Sequence, residues 1–186
     1  MRGARLLRLQ VPRRAAAYAL LAAAALLVTL LLAHAREARE LGPAARQLRL
    51  ALIDAGEVVE CLNGTQDDLY GPDGETSTTS AAAARTRLAD CDLRPLEESL
   101  DAVRLSAPAP LTGDRYRRAH AAIEEAVGVL TRLALDVRGT RRLIERDIRT
   151  GEKSAAVLVG YTAADAAFRR ANELLTAVEA ALPGAT

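Results

Sequence analysis

The residues of this chain whose types and spacing could do chemistry are two cysteines, two histidines and a cluster of arginines. Cys61 and Cys91 could close a loop of 30 residues. Outside the cytoplasm such a pair is expected to be a disulfide, and two thiols without histidines close by are too few for structural zinc. In the chain-entropy model a bridge of this span contributes about 3 to 4 kcal/mol. Two separate buried thiols are the alternative.

His34 stands at the end of an apolar run, and His120 has Glu124 one helical turn away. One imidazole and one carboxylate make an incomplete metal site. The chain lacks the Glu-x-x-His pairs of di-iron helical bundles, and it has no Gly-x-Ser-x-Gly elbow, His-Glu-x-x-His motif or phosphate-binding glycine loop. The expectation is therefore a protein that is not an enzyme, with no catalytic, cofactor-binding or metal residues and His120 at a core edge or on the surface. With no Trp and one Phe there is no aromatic cage for a sugar or a quaternary amine. Asp67, Asp68, Asp73 and Glu75 supply four carboxylates, but not at the alternating spacing of a calcium-binding loop. Asn63-Gly64-Thr65 has the form of a glycosylation site and doubles as a helix stop.

Arg138, Arg141, Arg142, Arg146, Arg149 and Lys153 form the one local cluster of positive charge, interrupted by Glu145, Asp147 and Glu152. Arg138, Arg142 and Arg149 share roughly one helical face. The like-charged spacing of Arg138 and Arg142 costs a few tenths of a kcal/mol. One reading is a solvated face, partly neutralised by a Glu145 to Arg149 pair. The other is an interaction tip for an acidic polymer, a protein partner or the chain's own Asp67, Asp68, Asp73 and Glu75.

The elements that carry these residues read as helices almost throughout. After Gly42 and Pro43 interrupt the chain, Leu41, Ala44, Leu48, Leu52, Ala55, Val59 and Leu62 make an apolar seam at spacings of three and four, which Asn63 and Gly64 end. A polar loop follows from Asn63 to Ser80, with a tight turn at Gly71-Pro72-Asp73-Gly74. Ser80 is placed to cap a second helical segment that runs to about Leu105, which Pro95 bends or restarts with Asp92 as a new cap. Pro108 and Pro110 end it. The longest seam begins near Gly113 and includes Tyr116, Ala119, Ile123, Leu130, Val137, Ile144 and Ile148, with Gly151 as its stop. Ser154 starts a last helix carrying Leu158, Tyr161, Ala164, Phe168, Ala171, Leu175, Val178 and Leu182, before Pro183 and Gly184. Tyr116, Tyr161 and Phe168 are read as core. No strand-like alternation occurs, so the fold class is all-α.

Short connections between four amphipathic helices predict an antiparallel up-down four-helix bundle with one long loop. If the first helix ends at Leu62, residues 81 to 90 stand above it, giving a four-helix base and a three-helix tip. Alanine-rich seams permit close helix approach within one chain or between two, as in a coiled coil, so a homo-oligomer stays open.

The N-terminal run decides where this domain lives. Ala15 to Ala33 is 19 uncharged residues, about 28 Å of helix against about 30 Å of bilayer hydrocarbon. Arg2, Arg5, Arg8, Arg13 and Arg14 precede it without an acid, which predicts a cytoplasmic stub (1–14), a transmembrane helix or uncleaved signal anchor (15–35) and an extracytoplasmic domain (36–186). Ala33-His34-Ala35 also fits a signal-peptidase site, and cleavage after Ala35 would release a secreted domain. The run exceeds the usual signal core of about 7 to 15 residues, which favours the anchor. Residues 36–186 hold 20 basic and 24 acidic residues, a net charge of −4 that disfavours nucleic acid. Lys153 is the sole lysine, a bias that fits a GC-rich bacterial genome. The functional expectation is a cell-envelope scaffold or accessory subunit acting through contacts with an envelope protein, with a ligand-sensing bundle as the alternative.

Overall fold

The computed structural model describes residues 13–70, 81–107, 113–151 and 154–182. All its regular elements are helices: α1 (Arg13–Tyr70), α2 (Ala81–Asp90), α3 (Arg94–Ser106), α4 (Asp114–Thr150) and α5 (Ala155–Glu179). The chain divides into two compact units, Met1–Glu37 and Ala38–Thr186.

In the first unit the apolar side chains face outward all round the helix. Tyr18, Leu20, Leu21, Leu26, Leu27, Val28, Leu30, Leu31 and Leu32 are each more than half exposed. Such a surface has no polar face to give to water, and this helix is long and apolar enough to cross a membrane. Its hydroxyl group at Thr29 donates to the Ala25 carbonyl at 2.8 Å, so the side chain is satisfied inside the helix, as an apolar surround requires.

The second unit is built around one apolar core to which all five helices contribute, α1 through its residues from Leu41 onward. Leu41, Leu48, Leu62, Leu96, Ile123, Leu130, Leu133 and Ile144 are fully buried; a side chain of this kind contributes about 1.5 to 3 kcal/mol on leaving water. Neighbouring helices run in opposite directions, as the contacts between them show. Arg49 pairs with Glu179 and Gly56 lies under Phe168, so α1 and α5 are antiparallel. Ser99 donates to Asp54 and Arg87 to Asp68, which sets α3 and α2 antiparallel to α1. Glu97 with Arg138, and Thr131 with Arg104, do the same for α3 and α4. Arg170 with Glu125, and Gly160 with Thr140, do so for α5 and α4.

Two expected helix boundaries are overturned. Gly42 and Pro43 do not interrupt the chain: Pro43 lies inside α1. Proline there removes one backbone bond, and the burial of Leu41, Ala44, Ala45 and Leu48 on either side outweighs that loss. Asn63 and Gly64 do not end the helix either, because Thr65 and Tyr70 continue the buried seam. The missing side chain of Gly64 makes room for Arg87, whose guanidinium a Cβ would meet at 2.8 Å. Since α1 reaches Tyr70, α2 packs beside its last turns rather than above them, and the three-helix tip does not form. The Gly71-Pro72-Asp73-Gly74 turn, Ser80, Pro108, Pro110, Pro183 and Gly184 lie outside the described residues.

Other local expectations shift by a residue or two. The chain breaks between α2 and α3, with Pro95 in the first turn of α3. Asp92 accepts from the Arg94 amide at 3.0 Å, but the residue at the cap position is Leu93. Gly151 ends α4 in the left-handed region, with φ of 72°. On α5, Leu158 faces solvent and Val157 takes the core position instead, while Tyr161 and Phe168 are only partly buried against the core. The close approach of α4 and α5 depends on Gly160, where a Cβ would stand 2.0 Å from the Thr140 hydroxyl.

Candidate functional site

The arginines of α4 recur at spacings of three and four, which lines Arg138, Arg141, Arg142, Glu145 and Arg149 along one side of that helix. Opposite them, the disulfide fixes α2 and the start of α3. Cys61 and Cys91 are bonded, and the buried Thr65 hydroxyl lies 3.8 Å from the Cys91 sulfur. The Cys91 carbonyl accepts from Arg141 at 3.1 Å, so the bridge holds α2 and α3 against both α1 and α4.

Two surface hollows result, of about 440 and 360 Å³. Both are lined by Arg141 and Glu145, so they are neighbours on one face. The first has Leu88, Ala89 and Ile148 in its wall, with Arg85 and Arg149. The second is bordered by Arg94, Arg138 and Arg142, with Asp92 and Glu97. Sequence reasoning missed Arg85 and Arg94. Their signal was the disulfide itself: joining Cys91 to the bundle brings its basic neighbours to the face that carries the α4 cluster.

The charges in this groove are partly matched. Arg138 pairs with Glu97, which relieves the like-charge cost expected beside Arg142. Glu145 pairs with Arg141 at 3.2 Å, not with Arg149 as expected. The Arg94 guanidinium and amide hold the Asp92 carboxyl below its ordinary value. Arg85, Arg142 and Arg149 are exposed and make no ion pair among the described residues. A guanidinium stays charged at every relevant pH, so the chemistry open to these three groups is the holding of carboxylates or other anions rather than proton transfer. Lys153, Asp73 and Glu75 lie outside the described residues, and Asp68 is committed to Arg87 at 2.7 Å.

Arg146 leaves the cluster. It binds Asp147, which is 2% exposed and anchors three helices at once. The Asp147 carboxylate accepts from Tyr70 Oη at 2.6 Å, from the Ser154 amide at 2.7 Å and from Arg146 Nη2 at 3.1 Å. The end of α1, the end of α4 and the start of α5 are thereby joined. Burial first, and then the bond to Asp147, push the Tyr70 hydroxyl well above its ordinary value. The legible signal was the position of Asp147 three residues past Ile144, on the buried seam.

No three of the His, Cys, Asp and Glu residues among the described residues are grouped to hold a metal. His120 is half-buried with Nδ1 3.8 Å from Glu124. The Asn63-Gly64-Thr65 sequence lies inside α1, with Thr65 fully buried and its hydroxyl bonded to the Cys61 carbonyl. Compared with known proteins, the chain matches no family model, no curated protein and no solved structure.

Proposed function

We propose that the chain is a single-pass membrane protein with residues 1–14 in the cytoplasm and residues 36–186 outside it, as an antiparallel up-down four-helix bundle. The bundle works by binding another protein, as an envelope scaffold or accessory subunit, and not by catalysing a reaction. The outward-facing apolar helix and the arginines ahead of it support the anchor. The opposed courses of neighbouring helices support the up-down topology, and the disulfide supports an oxidising compartment.

One observation carries the binding role: Arg85, Arg142 and Arg149 line neighbouring hollows without ion pairs among the described residues, and the first hollow has an apolar wall. Unmatched guanidinium groups beside apolar surface suit a protein that presents carboxylates together with apolar side chains. Photocrosslinkers placed at positions 145 and 148 in native membranes test this. A crosslinked protein that disappears when Arg142 and Arg149 are changed to Glu supports the reading. Crosslinks indifferent to those charges, or none, contradict it.

A further inference from the structure

The outward crests of α1 and α4 match one another in spacing and carry opposite charge. On α1, Ile53, Glu60 and Asp67 recur at seven-residue intervals and all face solvent; on α4, Leu135, Arg142 and Arg149 do the same. Ile53 is 52% exposed and Leu135 50%. A seven-residue repeat keeps side chains in line along two helices that wind together. Glu57 and Glu60 are exposed on the first crest and, with Asp67, make no ion pair among the described residues; neither do Arg142 and Arg149 on the second.

The contacts inside one bundle also bring these crests to similar heights. Cys61 is bridged to Cys91, whose carbonyl meets Arg141, and Tyr70 meets Asp147. Asp54 is bonded to Ser99, two residues from the Glu97 that pairs with Arg138. Through α3, Glu60 stands near the height of Arg142, while the Tyr70–Asp147 bond sets Asp67 about five residues, or about 7 Å, short of Arg149, a gap that an arginine side chain reaches across. Both helices are antiparallel to α3 and α5, so α1 and α4 run in the same direction. Two bundles standing side by side and parallel bring these crests together.

Resting on the protein-binding reading above, we propose that the partner of the arginine face is a second copy of this chain. The α1 crest of one copy lies along the α4 crest of the next, with Ile53 against Leu135, Glu60 against Arg142 and Asp67 against Arg149. Gly139 lies on the same crest between Leu135 and Arg142. A Cβ there would meet nothing within 4 Å, and glycine in a helix interior weakens the helix. Contacts within the chain do not account for it, whereas a closely approaching helix does. The contact is head-to-tail: each copy offers an acidic crest on one side and a basic crest on another. It therefore builds rings or open rows rather than a closed pair.

The test uses the full chain in detergent micelles, followed by sedimentation across a range of concentrations. Wild type is expected to associate, more weakly at high salt. E60R/D67R and R142E/R149E should each weaken association by about tenfold or more, and the four changes combined in one chain should restore it. Circular dichroism checks that the exposed substitutions leave the helices formed. A wild type that stays monomeric, an association indifferent to both pairs, or a four-fold variant that fails to recover overturns the second-copy proposal. A monomeric wild type whose membrane crosslinks to a different protein still depend on Arg142 and Arg149 overturns this proposal alone and leaves the protein-binding reading standing.

Discussion

Adding one methyl group at Gly160 tests the packing of α4 against α5. A Cβ at this position would stand 2.0 Å from Thr140 Oγ1 and 3.1 Å from its Cβ. Thr140 is 2% exposed, and its hydroxyl donates to the Asp136 carbonyl at 2.8 Å. Rotating the threonine would break that bond and swing a methyl group into the same space, so the clash is relieved only by moving the helices apart. Overpacking of this kind costs about 1 to 3 kcal/mol, while replacing glycine by alanine in a helix interior returns about 1 kcal/mol. Gly160→Ala alone is therefore expected to lower stability by up to about 2 kcal/mol. In a Thr140→Ala background the hydroxyl and methyl groups are gone and only the Cβ contact at 3.1 Å remains, so the same change should be neutral or raise stability by up to about 1 kcal/mol. Urea unfolding of the four chains of this cycle, followed by circular dichroism, reads the coupling, expected to be about 1 to 3 kcal/mol. An identical effect of Gly160→Ala in both backgrounds would refute the close approach.

Three further outcomes follow from the same contacts. Replacing Cys61 and Cys91 with Ser should cost about 3.5 kcal/mol, from a closed loop with a sequence separation of 30. Reductant should destabilise wild type to a similar degree and leave the variant unchanged; a loss under about 1 kcal/mol contradicts this. Asp147→Ala removes the acceptor that the buried Tyr70 hydroxyl, the Ser154 amide and Arg146 share, a loss of about 1 to 3 kcal/mol. Melting temperature should fall sharply, and less so for Asp147→Asn, which keeps one acceptor oxygen. The folded state holds the Tyr70 proton beyond its ordinary value of 10.0, whereas the unfolded chain releases it there. Stability is thus fully present below about pH 10 and falls as pH rises above it, and Tyr70→Phe should flatten that alkaline decline in urea titrations.

The parts of the fold that follow from local periodicity were legible in the sequence. Leu41, Leu48, Leu62, Ile123 and Leu130 sit on the expected seams because a spacing of three and four puts them on one face. What failed was the reading of breakers. Pro43 and Gly64 stop a helix that has nothing to pack against, but here Ala44, Ala45, Thr65 and Tyr70 keep α1 in the core, and tertiary burial exceeds the local cost. That one error removed the end of α1 from its place beside α2. It hid both the Tyr70 to Asp147 clasp and the companions of the α4 arginines. Arg138, Arg142 and Arg149 were visible as a helical face; Arg85 and Arg94 belong to it only through the Cys61–Cys91 bridge. Leu158 was misplaced because adjacent apolar residues, Val157 and Leu158, both fit the period, and packing alone chooses between them.

The central claim is that residues 15–35 stay in the membrane and hold the helical domain outside the cytoplasm. Treating intact cells with a protease that cannot cross the membrane, and then measuring the membrane-retained fragments by mass spectrometry, tests it most directly. The expected result is a retained fragment that begins at residue 1, includes Ala15 to Ala33 and has lost the residues beyond α1. A chain found free of the membrane and beginning at Arg36, or a full-length chain that the protease never reaches, would contradict it.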